Sequence, residues 1–122
     1  MNTENAKSQM RKGMLDFCVL LLLRRGPSYA ADIIQRLKEA ELIVVEGTLY
    51  PLLSRLRRDG LLSYQWQESL QGPPRKYYSL TPAGLQVLAG LDAAWEELAR
   101  TVGLLKAAAP VLPAPGDVPI RL

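Results

Sequence analysis

The chain has 122 residues, a formal net charge of +3 and a sequence pI near 9.2, which is the length of one domain with a mild positive balance. It contains no histidine and one cysteine, Cys18, so the usual metal sites, Ser/His and Cys/His catalytic pairs and an intramolecular disulfide are excluded. A hydrophobic content of 48% argues against a wholly disordered chain, while the longest apolar run is too short to cross a bilayer.

Residues 1–9 show no apolar period and read as a loose N-terminal extension. Arg11 and Lys12 then place two cations at the head of a helix expected from about Met10 to Arg25. Its residues Met14, Leu15 and Phe17 through Leu23 leave almost no polar face. A helix apolar all round must be covered on two sides. In so small a protein, one side faces its own core and the other a second subunit. Cys18, set among leucines, reads as a structural thiol. Gly26-Pro27 ends this helix.

Ser28 is a candidate cap for a second helix, Tyr29 to about Glu41, whose Ala30, Ile33, Ile34 and Leu37 fall on one face. The aliphatic connector Leu42 to Val45 suggests a packed turn or a brief strand. A third helix follows to Arg58, with Leu49, Leu52, Leu53 and Leu56 at i, i+3, i+4 and i+7. Opposite that stripe lie Gly47, Pro51, Ser54, Arg55 and Arg58, flanked by Thr48, Tyr50 and Arg57, with no carboxylate at the centre. Pro51 belongs in a first turn, which predicts a cap at Gly47 or, chemically better, Thr48. The hydroxyls of Thr48 and Tyr50 would then sit at the positive end of the helix, where phosphates are attracted. Gly60 is a natural helix stop.

After Gly60 the period becomes 2, with Leu62, Tyr64 and Trp66 alternating against Ser63, Gln65 and Gln67. Ser69 to Pro74 reads as a turn-rich tip and Arg75 to Leu80 as a returning strand. From Ser54 to Leu80 there are five Arg or Lys residues against Asp59 and Glu68, so a polyanionic partner fits this half of the chain. Thr81-Pro82 opens a further helix to about Lys106, in which Leu88, Leu91, Trp95, Leu98, Val102 and Leu105 are spaced 3, 4, 3, 4, 3. That spacing is an a/d seam built to pair with another helix. Four prolines between residues 107 and 122 forbid a regular helix there and predict a flexible or extended tail.

These elements make a mainly α chain with a small β-hairpin. The expected organisation is an extension at 1–9, a winged helix-turn-helix domain at 10–81, a C-terminal dimerisation helix at 82–106 and a proline-rich tail at 107–122. Neither a dinucleotide-binding nor a P-loop glycine pattern occurs, so no cofactor and no metal are expected. Without histidine or a convergent acidic pair the chain is not expected to be an enzyme, and its location is expected to be the cytoplasm.

Several segments together carry a family likeness. Met10-Arg11-Lys12-Gly13, Gly26-Pro27-Ser28-Tyr29, Gly47-Thr48-Leu49-Tyr50-Pro51-Leu52-Leu53-Ser54-Arg55-Leu56 and Pro74-Arg75-Lys76-Tyr77-Tyr78-Ser79-Leu80-Thr81-Pro82-Ala83-Gly84 resemble the PadR family of bacterial transcriptional regulators. The likeness covers residues 10 to 105 and is to the small subfamily with one short C-terminal helix. Tyr29-Ala30 departs from the family's usual Tyr-Gly, and the proline tail lies outside its pattern.

The resemblance implies a homodimer joined through the first and last helices, a recognition helix in the major groove of double-stranded DNA, and a wing on the flanking backbone. Regulators similar to this chain usually repress, and some release DNA when a small molecule binds. On this reading Thr48, Tyr50 and Ser54 contact phosphates and Arg55 or Arg58 base edges, while Arg75 and Lys76 grip the backbone. Phe17 and Leu21, with the heptad seam of the last helix, line the dimer interface. Trp95 either fills that seam or helps form a pocket for a small hydrophobic or aromatic effector. The competing reading is a winged-helix protein-interaction module that binds no DNA.

Overall fold

The computed structural model describes residues 1–42 and 44–109. Its elements are α1 (Thr3–Arg24), β1 (Ser28–Tyr29), α2 (Ala30–Glu39), α3 (Glu46–Arg58), β2 (Leu62–Ser69), β3 (Gly72–Leu80) and α4 (Pro82–Ala107). The expected tail lies outside the described residues from position 110 onward. Two compact units are formed, Met1–Asp92 and the segment from Ala93 onward. The first therefore takes in the opening turns of α4 and does not stop at residue 81.

The N-terminal segment read as a loose extension is helical. Asn2 caps α1, its side-chain oxygen accepting from the N–H groups of Glu4 at 2.9 Å and Asn5 at 3.3 Å. The missing apolar period has a simple cause: the first turns of α1 are largely exposed and pack on nothing. Farther along, Leu15, Phe17, Val19, Leu20 and Leu23 are buried, and Met14, Cys18, Leu21 and Leu22 pack partly against them. Phe17, expected at a subunit interface, is thus held in the protomer's own core. Burial pushes the Cys18 thiol up, which keeps it protonated and unreactive.

The core gathers α1, Ile33 and Leu37 of α2, Val44 of the connector, Leu62 and Tyr78 of the sheet, Leu88 of α4 and the four leucines of α3. The sheet has three strands in the order β1-β3-β2, one more than the expected hairpin. The added strand is Ser28–Tyr29, paired antiparallel with Tyr78 and Tyr77. It displaces two sequence expectations. Ser28 is a buried strand residue and no helix cap, its hydroxyl donating to the Tyr29 carbonyl at 3.3 Å, and α2 begins only at Ala30 without a side-chain cap. In β2–β3 the register runs from Leu62 opposite Leu80 to Gln67 opposite Arg75 and then shifts to Ser69 opposite Gly72. The extra β3 residue sits at Pro73-Pro74, which cannot donate to a ladder and so fall where the pairing is broken. The wing tip is accordingly just Leu70-Gln71.

Two helices end in the same backbone lock. At α3, the Leu61 N–H donates to the Leu56 carbonyl at 3.0 Å and the Gly60 N–H to that of Arg57 at 2.9 Å, with Gly60 at φ 78°. At α2, the Leu42 N–H donates to Leu37 at 2.7 Å and the Glu41 N–H to Lys38 at 2.9 Å, with Glu41 at φ 66° where a glycine would be unstrained. The α3 lock is then tied to α4. The Thr81 hydroxyl donates to the Gly60 carbonyl at 2.6 Å and accepts from the Gly84 N–H at 3.0 Å, while the Thr81 N–H donates to Leu61 at 3.1 Å. The expected Thr81-Pro82 start is therefore present. Gly84 is needed for it, because a Cβ there would collide with the Leu61 carbonyl oxygen.

These two sites predict opposite outcomes for glycine exchange. Glu41→Gly relieves the left-handed residue and should raise stability by about 0.5–1 kcal/mol. Gly84→Ala, although alanine is the better helix former, should lower it by about 1–3 kcal/mol through overpacking. Urea denaturation of both variants checks the pair of signs.

Candidate nucleic-acid interface

Burial of Leu49, Leu52, Leu53 and Leu56 fixes the rotation of α3 about its axis. What it leaves exposed is Gly47, Pro51, Ser54 and Arg58 at the centre, with Thr48 and Arg55 on one flank and Tyr50 and Arg57 on the other. The helix starts earlier than Thr48. Val45 is its N-cap and contributes no side-chain bond; its carbonyl accepts from the N–H groups of Thr48 at 3.0 Å and Leu49 at 3.1 Å. Pro51 therefore falls at the sixth helical position, within the helix, where it cannot donate to the carbonyl of Gly47. Gly47 is exposed, so that oxygen need not be satisfied from within the protein.

The flank bearing Tyr50 and Arg57 faces the wing. Between them lies a hollow of about 430 Å³ lined by Tyr29, Ala30, Ala31, Tyr50, Ser54, Trp66, Pro74, Arg75, Lys76 and Tyr78. A second, of about 410 Å³, is lined by Pro51, Ser54, Arg57, Arg58, Lys76 and Tyr78. Ser54, Lys76 and Tyr78 are common to both, so the two form one trough along α3, and no carboxylate lines it. A wider hollow of about 720 Å³ lies elsewhere, between the C-terminal ends of α1 and α2. Its Arg24, Arg25 and Arg36 are opposed by Glu39 and by two helix C-termini, whose partial charge disfavours anions.

Three of the trough's four cations, Arg57, Arg75 and Lys76, lie over aromatic rings. The Arg75 guanidinium lies 4.1 Å from the Tyr29 ring centre, that of Arg57 4.6 Å from Tyr64, and the Lys76 ammonium 4.6 Å from Tyr64 and 5.5 Å from Trp66. The sheet register explains the last contact, since Lys76 is directly opposite Trp66. Trp66 is 61% exposed, and Tyr50 is 46% exposed. Burial, followed by the neighbouring Tyr64 and Tyr50 phenols, pushes the Tyr78 hydroxyl up against the opposing effect of Arg57. Tyr78 therefore stays an uncharged donor in the floor of the trough.

Arg55 is placed differently from the other cations. Its Nη2 reaches both carboxylate oxygens of Asp16 in α1, at 2.8 and 2.9 Å, in the one ion pair among the described residues. The carboxylate-free face read from α3 alone therefore has an acidic neighbour at one edge. Arg57 stands on the flank where the helical wheel places it, whereas Asp16, Tyr29 and Trp66 are not among the residues the sequence assigns to this surface. Trp66 and its partner Lys76 follow from strand alternation, whereas the Asp16–Arg55 pair spans 39 positions and leaves no local signal.

The expected seam of α4 divides. Leu88 is buried and Leu91 partly buried against the core of the first unit, so neither is a free interface residue. In the second unit Trp95, Leu98, Val102 and Leu105 are 43%, 61%, 51% and 73% exposed. No helix among the described residues is long and apolar enough to cross a membrane, and no metal-binding cluster occurs among them.

A three-helix core with a three-stranded wing and a cationic, carboxylate-free trough beside the second helix of the helix-turn-helix defines a winged-helix DNA-binding regulator. Residues 19–90 match the family described as the transcriptional regulator PadR-like family, and the chain belongs to it. It is 43% identical over 74 residues to the transcriptional regulator Rv3488 of Mycobacterium tuberculosis, covering 61% of this chain and 68% of that protein. Among solved structures it is similar to a PadR-like transcription factor from Bacteroides fragilis, with 65% identity, a TM-score of 0.71 and coverage of 83% and 98% of the two chains. A PadR family regulator from Eggerthella lenta superposes with a TM-score of 0.79 at 34% identity, over 88% and 94%. Family and neighbours are regulators of transcription, not enzymes.

The Asp16–Arg55 pair has both side chains about two-fifths exposed, so its coupling should be small. A double-mutant cycle with Asp16→Asn and Arg55→Ala should return about 0.2–1 kcal/mol in urea denaturation. A coupling above about 2 kcal/mol would mean that the pair is a main link between α1 and α3.

Proposed function

We propose that this regulator is a homodimeric repressor that binds specific double-stranded DNA in the cytoplasm and is released by a small hydrophobic or aromatic effector. The observation that carries the DNA reading is the trough, which joins the outer face of α3 to the wing and has Arg57, Arg58, Arg75 and Lys76 with no carboxylate in its lining. Laid in the major groove, α3 brings Thr48, Tyr50 and Ser54 to phosphates and Arg58 to base edges. Arg55 has its Nη2 engaged and its charge answered by Asp16, whereas Arg58 has no ion-pair partner among the described residues, which makes Arg58 the stronger candidate for sequence readout. Arg75 and Lys76 hold the backbone from the wing, with their rotamers already restricted by Tyr29, Tyr64 and Trp66.

Support for a dimer comes from the exposed half of the α4 seam. Four large apolar residues spaced 3, 4 and 3 in open solvent are a pairing surface, and a symmetric copy presents the same residues. Trp95 and its mate would then stand together in that seam, where a flat apolar effector could stack between them.

Mobility shift with DNA from upstream of the chain's own gene should give a complex that random DNA of equal length does not. This also separates DNA binding from a protein-interaction module. For about 6–10 phosphate contacts, affinity should drop about 10³- to 10⁵-fold between 50 and 200 mM salt. Arg58→Ala should cost about 1–3 kcal/mol on the specific site, with Tyr50→Ala weakening binding and both variants remaining folded. Unchanged operator affinity in both would sink the α3 assignment.

Val102→Asp should convert the dimer to monomer in sedimentation. Planar aromatic compounds should quench tryptophan emission in the parent and in Trp66→Phe but not in Trp95→Phe. Quenching that survives in Trp95→Phe would place the effector elsewhere.

A further inference from the structure

The exposed face of α3 has two flanks, and the wing serves only one. The other, with Thr48 and Arg55, turns toward α1, as the Asp16 contact fixes. Beside Thr48 lies a separate hollow of about 420 Å³, in which Ser8, Arg11 and Lys12 of α1 face Thr48 over a floor that includes Leu15 and Val44. Ser8, Arg11, Lys12 and Leu15 stand at i, i+3, i+4 and i+7, so one face of α1 forms this wall.

The hollow carries two cations and two hydroxyls and no carboxylate in its lining. Among the described residues neither Arg11 nor Lys12 is ion-paired. Asp16, one turn beyond Lys12, has both oxygens taken by Arg55. Glu46, the acid in the first turn of α3, projects about 160° around that helix from Thr48, at roughly 100° per residue. Glu4, two turns back on the same face of α1, pairs with neither cation, so among the described residues no carboxylate answers the charge of Arg11 and Lys12. At Gly47, the neighbour of Thr48, a Cβ would meet nothing within 4 Å, so no intramolecular packing accounts for glycine at that exposed point. Its lack of a side chain does leave the first turn of α3 open to close approach from outside.

We propose that this hollow seats a backbone phosphate of the DNA strand on the side of the groove away from the wing. Arg11 and Lys12 supply the charge, and the Ser8 and Thr48 hydroxyls donate hydrogen bonds. The proposal rests on the DNA reading above and adds how the second strand is held: with α3 in the major groove, the wing grips one bounding backbone and α1 the other.

The test uses the full-length protein, with fluorescence anisotropy on the upstream DNA and on a random duplex from 50 to 200 mM salt. Replacing both residues, Arg11→Ala with Lys12→Ala, should weaken binding to the two duplexes by the same factor. The salt slope should become shallower by about 0.9 per phosphate lost, or about 1.8 for two protomers. Exchanging the cations for each other, Arg11→Lys with Lys12→Arg, keeps the charge and should keep the parent slope. Arg24→Ala removes a cation about 18 Å farther along α1, at 1.5 Å per residue, and should leave the slope unchanged.

An unaltered slope in the alanine double variant, or an equal loss in Arg24→Ala, overturns the proposal. If Lys76→Ala weakens binding while the alanine double variant does not, only this clamp falls. If the parent protein shows no salt-dependent DNA binding, the DNA reading fails and the clamp with it.

Discussion

Four leucines on α3 decide the orientation of everything functional in the first unit. Full burial of one such side chain is worth about 1.5–3 kcal/mol, so turning α3 far enough to hide Arg58 or Ser54 would expose Leu49, Leu53 and Leu56 at a cost comparable to the stability of a small domain. The outer face is therefore set by what the inner face must hide. The lock at Gly60 and Leu61 then fixes where α3 ends, and Thr81 and Gly84 seat the start of α4 on that same turn. The strands of the wing run between those two points, so their register is anchored at the base of α3.

Four of the cations around α3 are restrained before any ligand arrives, and by different means. Arg57, Arg75 and Lys76 lie over rings, which attract them without neutralising them. A ring leaves the N–H donors at the edge of the guanidinium free for a phosphate oxygen, and ordering the side chain in advance reduces the entropy lost on binding. Arg55 is restrained by a carboxylate, which takes up its Nη2 and answers its charge. A ligand reaching Nη2 of Arg55 must compete with Asp16, whereas one reaching Lys76 need only approach. The two sorts of restraint separate ready contacts on the wing side of α3 from a conditional one on the α1 side.

Much of this was legible in the sequence because it depends on local periods. The 3.6-residue stripe of α3, the alternation of β2 and the Thr81-Pro82 start appear where spacing and cap chemistry place them. The features that escaped depend on partners distant in the chain or on weak local signals. The Ser28–Tyr29 strand is only two residues long and exists because β3 offers it an edge. The first turns of α1 have no apolar face, so the Asn2 cap is their main local signal. Pro51 misled the placement of the α3 start, since an exposed helix tolerates a proline at its sixth position when the orphaned carbonyl belongs to an open glycine. The heptad seam was read as one surface, yet Leu88 and Leu91 go to the core and Trp95 onward stays open. Spacing finds the stripe and cannot say which partner covers each part of it.

That division of the α4 seam bears on how two protomers could act together. Because Leu88 is in the core and Gly84 sits against Leu61, the first turns of α4 are part of the same body as α3. In the proposed dimer, the exposed half of the same continuous helix carries the pairing surface, so one element connects the reading head to its twin. Paired recognition helices meet successive major grooves about 34–36 Å apart. The tight seat of Gly84 holds the start of α4 on the turn that ends α3, so within the first unit the α3–α4 junction has no room for play.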